Sequence, residues 1–173
     1  MKFVAIDFET ADYGPDSACA VALVRVEDCQ IVAKTSALIR PPRSRFHFTY
    51  VHGITWERVK AEPTFGQIWP SLAEYWQGVE HFVAHNAQFD KGVLAASCAA
   101  SGLEMPALPF RCTVKLARQI WKLPSHKLNL VCQHLQIPLN HHEALSDAEA
   151  CAKIVLAAQQ HQQLHFPKKK LRW

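Results

Sequence analysis

The sequence predicts an α/β fold: one mixed β-sheet, made of an N-terminal three-strand meander plus parallel strands, flanked by helices. Three observations lead there. The first 41 residues hold three apolar, β-branched-rich runs separated by short turns. After residue 64, strand-like and helix-like runs alternate. Apolar residues at 49% and charged residues at 20% describe a chain able to close a core, and 173 residues give room for one domain but not for a second of full size.

Taken in order, "KFVAIDFET" (2–10) reads as a buried strand whose far end carries two carboxylates. "SACAVALVRVE" (17–27) and "IVAKTSALIRP" (31–41) complete the meander, joined by Asp28, Cys29 and Gln30. "PPRSRFHFTYVHGIT" (41–55), dense in Pro and aromatic residues, predicts an irregular loop, and "TFGQIWPSLAEYW" (64–76) a helix with Pro63 near its start. "VEHFVAH" (79–85) predicts a buried strand, and "AQFDKGVLAASCAA" (87–100) a helix closed by Gly102. "FRCTVKLARQIW" (110–121), "KLNLVCQHLQI" (127–137) and "ALSDAEACAKIVLAAQQ" (144–160) predict mostly helical segments.

No 18-residue apolar span and no secretory h-region is present, so the expectation is a soluble, cytoplasmic protein with no membrane association. The six cysteines never form a C-x-x-C pair, which argues against a zinc ribbon or a redox motif and predicts buried free thiols. A net charge of +4 is compatible with an anionic partner without demanding one. Lys168, Lys169, Lys170 and Arg172 make the C-terminal tail basic, and a solvated, frayed end explains them as readily as phosphate contacts do.

Strand side chains alternate faces, so Asp7 and Glu9 share one side of the sheet while Phe8 points to the other. Two anions that close repel, and a divalent cation, a nearby Arg or plain solvent would each relieve them. A second acidic position, Asp90, falls in the first turn of a helix, where an Asp is ordinary, but His85, Asn86 and Phe89 gather polar and aromatic groups around it at a strand's C-terminal end. A third lies in "HHEALSDAEA". Asp147 shares an apolar stripe with Ala148, Cys151 and Val155, and His142 hangs just outside the helix start.

Together these stretches read D-x-E-T, H-N-A-x-F-D and H-x-A-L-x-D-A, in that order, with "VHGIT" between the first two. The pattern resembles the DEDDh (DnaQ-like) 3′→5′ exonucleases, the class that includes the proofreading epsilon subunit of bacterial DNA polymerase III. The resemblance covers most of the chain. It implies an RNase H-like fold, with an exonuclease domain over residues 1–160 and a basic tail over 161–173. It also implies two divalent cations, Mg or Mn, held by Asp7, Glu9, Asp90 and Asp147, with His142 as general base. Hard oxygen ligands without a Cys-His grouping agree with that choice of metal. His141 is adjacent, so the choice of His142 rests on the H-x4-D match.

By the same resemblance Thr10 approaches the terminal sugar of a substrate, and His52, His85, Asn86 and Phe89 line the end-nucleotide pocket. Phe46, Phe48 and Tyr50 are candidates for base stacking, and Lys91, Arg111, Lys115 and Arg118 for phosphates, although loop packing and solvated helix faces account for them equally. The expected activity is hydrolysis at single-stranded 3′ ends, DNA favoured, releasing nucleoside 5′-monophosphates. Two alternatives stand beside it: an RNA 3′-exonuclease of the oligoribonuclease or tRNA-trimming type, and a non-catalytic nucleic-acid-binding module on the same fold. The second strand carries Ala20–Leu23 where many relatives have an Ile-x-Glu-Ile/Leu-like segment. The resemblance leaves a homodimer open, since parts of the family form one, although no stripe in this sequence marks an interface. Nothing after residue 160 resembles a long polymerase-binding extension, which weakens the expectation of a polymerase partner.

Overall fold

In the computed structural model, which describes residues 1–165, strand β1 (Lys2–Thr10) lies at the centre of a five-stranded sheet. It pairs antiparallel with β2 (Ala18–Glu27), which pairs antiparallel with β3 (Gln30–Leu38). On its other side β1 runs parallel to β4 (Phe82–Ala84), and β4 runs parallel to β5 (Phe110–Cys112), giving the order β3-β2-β1-β4-β5. This is the mixed sheet the sequence predicts. Glu27 pairs with Gln30, so Asp28 and Cys29 alone make the hairpin turn, both at positive φ (47° and 66°) as a two-residue turn of this hand requires. Cys29 is therefore exposed, unlike the other free thiols.

Two apolar layers cover the sheet, one from each face of β1. Val4, Ile6 and Phe8 pack against Phe65, Trp69, Leu72, Val93 and Leu94. Phe3 and Ala5 pack beneath the last helix, α8 (Ala144–His165), with Ala148, Cys151, Ala152 and Val155. The small residues on that stripe let α8 come close to the strands, which brings its first turn over the C-terminal half of β1.

The region between β3 and β4 departs from expectation. The predicted loop over 41–55 contains a short helix, α1 (Thr49–His52), followed by α2 (Trp56–Val59). The predicted helix over 64–76 is broken into α3 (Phe65–Ile68), a 3₁₀ turn (Trp69–Leu72) and α4 (Ala73–Trp76). Pro70 is the cause: it lacks the amide a continuous α-helix needs there, and the chain tightens around it. Thr64 and Gln67 form a reciprocal capping box that fixes the start of α3, with Pro63 just outside. Helix α5 (Gln88–Ala100) follows β4 and ends before Gly102, at φ +66°. Residues 110–112, expected to be helical, instead form the edge strand β5 ahead of α6 (Thr113–Ile120), and α7 (Leu128–Leu135) precedes α8. Helix α8 continues five residues past the expected domain boundary at 160, and the basic run from Lys168 to Arg172 lies outside the described residues. No helix among the described residues is long and apolar enough to cross a membrane.

Candidate active site

Asp7 and Glu9 project from β1 toward the α8 side, opposite Ala22 and Ala20 of β2. Those alanines leave room where a larger neighbour would fill the space beside the carboxylates. The pairing register slips between Glu9 and Thr10, adding one residue of β2 beside the site, the kind of local kink that re-aims side chains at a sheet's functional end.

Asp90 reaches the same strand from the first turn of α5. Because β4 ends at Ala84, the Phe8 amide has no strand partner, and it donates instead to Asp90 Oδ1 at 3.1 Å. The turn into α5 passes through Asn86 at φ +70°, a left-handed conformation Asn tolerates better than most residues. Asp147 arrives from the first turn of α8. Its Oδ2 accepts from His141 Nδ1 at 2.8 Å and from the His142 amide at 3.2 Å, while its Oδ1 is buried with no hydrogen-bond partner.

The four carboxylates are mutually destabilising. Burial, then Asp90, Asp147 and Glu9, hold Asp7 well above the usual carboxylate range. Burial, with Asp147 and Asp90, pushes Glu9 up to about 8. Asp90 is pushed up to about 7, chiefly by burial and against the pull of the Phe8 amide, and burial also raises Asp147 against the opposing influence of His141. A set of oxygen donors that resists ionisation, one of them buried and unpartnered, fits a divalent cation.

Asp7, Glu9 and Asp147 line one cleft of about 450 Å³, with Thr10, Phe48, Val51, His52, His85, Phe89, Lys127, His141 and His142 on its walls, while Asp90 lies buried behind it. Of the residues predicted to line an end-nucleotide pocket, Thr10, His52, His85 and Phe89 do line this cleft. Both ring nitrogens of His52 are engaged within the chain: Nδ1 accepts from the Ile54 amide at 3.0 Å, and Nε2 donates to the Thr10 carbonyl at 3.1 Å. His85 is likewise tied, to Thr113 Oγ1 at 2.8 Å and to the His126 carbonyl at 2.9 Å, and burial drives it down to about 4. Each imidazole thus braces a wall, the first joining the residue 52–54 turn to the end of β1 and the second joining β4 to the segment before α7. Asn86 is exposed and does not line the cleft, whereas Phe89 does, 47% exposed.

Three features were not singled out from the sequence. Lys127, exposed at the N-terminal end of α7, is the only Lys or Arg among the described residues that line this cleft. Tyr13, 80% exposed, stands edge-on to Phe48 with ring centroids 4.9 Å apart. His141, rather than His142, bonds the Asp147 carboxylate through its ring. The "HK" before an apolar helical run was the available signal for Lys127; nothing local marked the other two.

The sheet order and the carboxylates meeting from three separate segments define an RNase H-like exonuclease fold. A family model described as Exonuclease, RNase_T, matches residues 4–155. A DNA polymerase III of PolC type from Clostridium perfringens is 34% identical over 159 residues, which make up 89% of this chain and 11% of that protein. Among solved structures, Exonuclease X in complex with 5′ overhanging duplex DNA matches with a TM-score of 0.73 at 27% identity over 91% of each chain. The nuclease domain of 3′hExo, a DEDDh family member bound to rAMP, matches with a TM-score of 0.78 over 92% of each chain; at 20% identity that likeness shows the fold alone. The chain belongs to the RNase_T exonuclease family, the DnaQ-like 3′→5′ exonucleases of DEDDh type, a family that implies divalent metal ions.

Proposed function

We propose that this chain hydrolyses phosphodiester bonds from single-stranded 3′ ends, DNA in preference to RNA, and releases nucleoside 5′-monophosphates. The observation that carries the reading is the gathering of Asp7, Glu9 and Asp147 on one cleft, with buried Asp90 beside them, at mutual electrostatic cost. The preference for DNA is supported by the Exonuclease X complex, a solved relative at 27% identity, which contains duplex DNA with a 5′ overhang. Asp7, Glu9, Asp90 and Asp147 would hold two divalent cations, Mg or Mn, which when bound activate the attacking water and offset charge on the departing oxygen.

The protein's own groups do the rest. His142 is exposed on the cleft wall, and burial together with His141 holds its pKa below the ordinary value, so at neutral pH it stands ready to accept a proton as general base. Phe48 and Phe89 offer ring faces to bases, a sequence-tolerant grip suited to single strands. Lys127 supplies the cleft's cation for a substrate phosphate. Its replacement by Met is expected to raise KM by about tenfold with kcat nearly unchanged, and to flatten the log–log salt dependence of binding by about 0.7. An unchanged KM in steady-state digestion of a labelled oligonucleotide would remove Lys127 from the substrate path.

The test of the function is digestion of 5′-labelled DNA and RNA oligomers, paired and unpaired, in Mg²⁺ and in EDTA. The expected result is a ladder shortening from the 3′ end of unpaired DNA, abolished by EDTA, with mononucleotides as product. Binding without release on either nucleic acid, metal supplied, would assign the chain to a non-catalytic module.

A further inference from the structure

We propose that the exposed face of α6 and the turn after it, carrying Lys115, Arg118 and Lys122, form a track for the backbone phosphates of a long single strand outside the cleft, so that the chain selects extended strands over short oligonucleotides. The stretch from Met105 to His142 holds five of the chain's 19 basic residues and none of its 15 acidic ones. That leaves 14 basic against 15 acidic residues elsewhere, so the net charge of +4 comes from this stretch. A solvated helix face ordinarily interleaves the two signs, as Glu149 and Lys153 do on α8 at 2.8 Å. Lys2, Lys34 and Lys60 likewise stand beside carboxylates. Lys115, Arg118 and Lys122 are all exposed, and among the described residues no carboxylate pairs with them. Lys115 also lies in the first turn of α6, where the helix dipole opposes a cation, so helix stability does not account for it.

The fold sets this face against the cleft. Ala84 of β4 and Cys112 of β5 are partners in the parallel register, so His85 and Thr113 emerge side by side at the edge of the sheet that holds the site. His85 pins both ends of the segment between Thr113 and Lys127. Its Nδ1 lies 2.8 Å from Thr113 Oγ1, at the start of α6, and its Nε2 donates to the carbonyl of His126, next to Lys127 on the cleft wall. Thr113, Leu116 and Ala117 are buried, which turns Lys115 and Arg118, three apart on the helix, together toward solvent. Trp121 is buried in the same apolar layer as α8 and anchors the chain just before Lys122. The segment therefore leaves the cleft wall and returns to it with its charged side outward.

The charge of the cleft itself requires attraction from outside. Asp7, Glu9 and Asp147 line it against Lys127, a balance that does not draw in a polyanion. Phosphates laid along α6 release their counterions there, and contacts of that kind carry no base preference. A dinucleotide is too short to reach from the cleft to this face and gains nothing from it, whereas a long strand does. The oligoribonuclease type of activity is thereby disfavoured. The binding of a strand stands apart from the nuclease reading; the selection of substrates by length rests on it.

The experiment is fluorescence anisotropy of a labelled thymidine oligomer of about 20 nucleotides, in EDTA and over a range of salt, with the full chain. Wild type is compared with Lys115→Gln/Arg118→Gln/Lys122→Gln and with the charge-keeping Lys115→Arg/Arg118→Lys/Lys122→Arg. Lys2→Gln/Lys34→Gln/Lys60→Gln removes the same charge elsewhere, and circular dichroism checks that each variant is folded. Loss of three phosphate contacts, at about 0.7 each, should flatten the log–log salt dependence by about 2 and weaken binding about 30-fold at roughly 0.2 M salt. The charge-keeping variant and the variant at residues 2, 34 and 60 should keep the wild-type slope. An unchanged slope in the first variant, or an equal loss when the charge is removed elsewhere, would overturn the track. In Mg²⁺, wild type should hydrolyse the long oligomer with a kcat/KM at least about 30-fold above that for a dinucleotide, and the first variant should lose this advantage. Equal kcat/KM for both lengths in wild type would overturn the selection by length. If wild type shows no hydrolysis in Mg²⁺, the proposed function fails, while the anisotropy still decides the track.

Discussion

Asp7→Asn will lower the rate of phosphodiester hydrolysis by about four orders of magnitude and, in EDTA at pH 8, raise the melting temperature by a few degrees. The two effects come from one cause. Asp7 is the carboxylate on which the charges of Asp90, Asp147 and Glu9 all bear, in a place where burial already opposes ionisation. Removing its charge relieves that repulsion and leaves the amide room beside Ala22. The same change takes away a ligand that a two-cation site cannot do without. Stability is thus traded for function at this residue. Steady-state digestion and a thermal melt of the same preparation check both halves. A variant that loses stability along with activity would mean that Asp7 serves the fold rather than the chemistry.

Without metal, the folded chain will lose stability as pH rises from about 5 to 9, on the order of 2–4 kcal/mol or roughly 5–10 °C, and millimolar Mg²⁺ will restore it. The sign follows from the direction of the shifts. Glu9 is pushed up to about 8 and Asp90 to about 7, with Asp7 and Asp147 also raised. Around neutrality the folded state therefore keeps protons that an unfolded chain, with carboxyl pKa values near 4, has released. That stabilisation is complete below the unfolded pKa and disappears as pH climbs through the folded values. At the acid end the trend reverses. Asp12 and Asp16 are held low by Arg43, at 2.8 and 2.6 Å, and their contribution is lost as pH falls through their folded values. Differential scanning fluorimetry across the range, in EDTA and in Mg²⁺, reads the effect; a flat or rising profile in EDTA would contradict the clustering of the carboxylates.

The parts of this protein that can be read from sequence are those whose signal is local. Alternation placed Asp7 and Glu9 on one face of β1, and the apolar stripe of Ala148, Cys151 and Val155 placed Asp147 on the inner side of α8; the fold has both arrangements. β5 was hidden because Phe110–Cys112 is only three residues long and runs directly into α6, so its strand character comes from pairing with β4 rather than from its own pattern. The break at Pro70 was legible in principle, since an interior Pro removes a helical hydrogen bond, but the strong apolar period on either side masked it.

Site residues divide the same way. Motif spacing brought the carboxylates and His142 together, yet it carried no information about what occupies each imidazole. His85 bonds the His126 carbonyl 41 positions away, and His52 bonds the Thr10 carbonyl 42 positions away. Such partners depend on how loops settle against the sheet, which no local period encodes. Lys127 escaped notice for the same reason, because it reaches the cleft through the segment that His85 braces.

The most direct measurement is the number of Mn²⁺ ions bound per chain, followed by the loss of the free-ion paramagnetic resonance signal at pH 8 in the presence of a nucleoside 5′-monophosphate. Two ions per wild-type chain are predicted, with tight binding abolished in Asp7→Asn and weakened in Asp90→Asn. Stoichiometric binding that survives Asp7→Asn and Asp90→Asn unchanged, or none in wild type, would show that these carboxylates do not form a metal site.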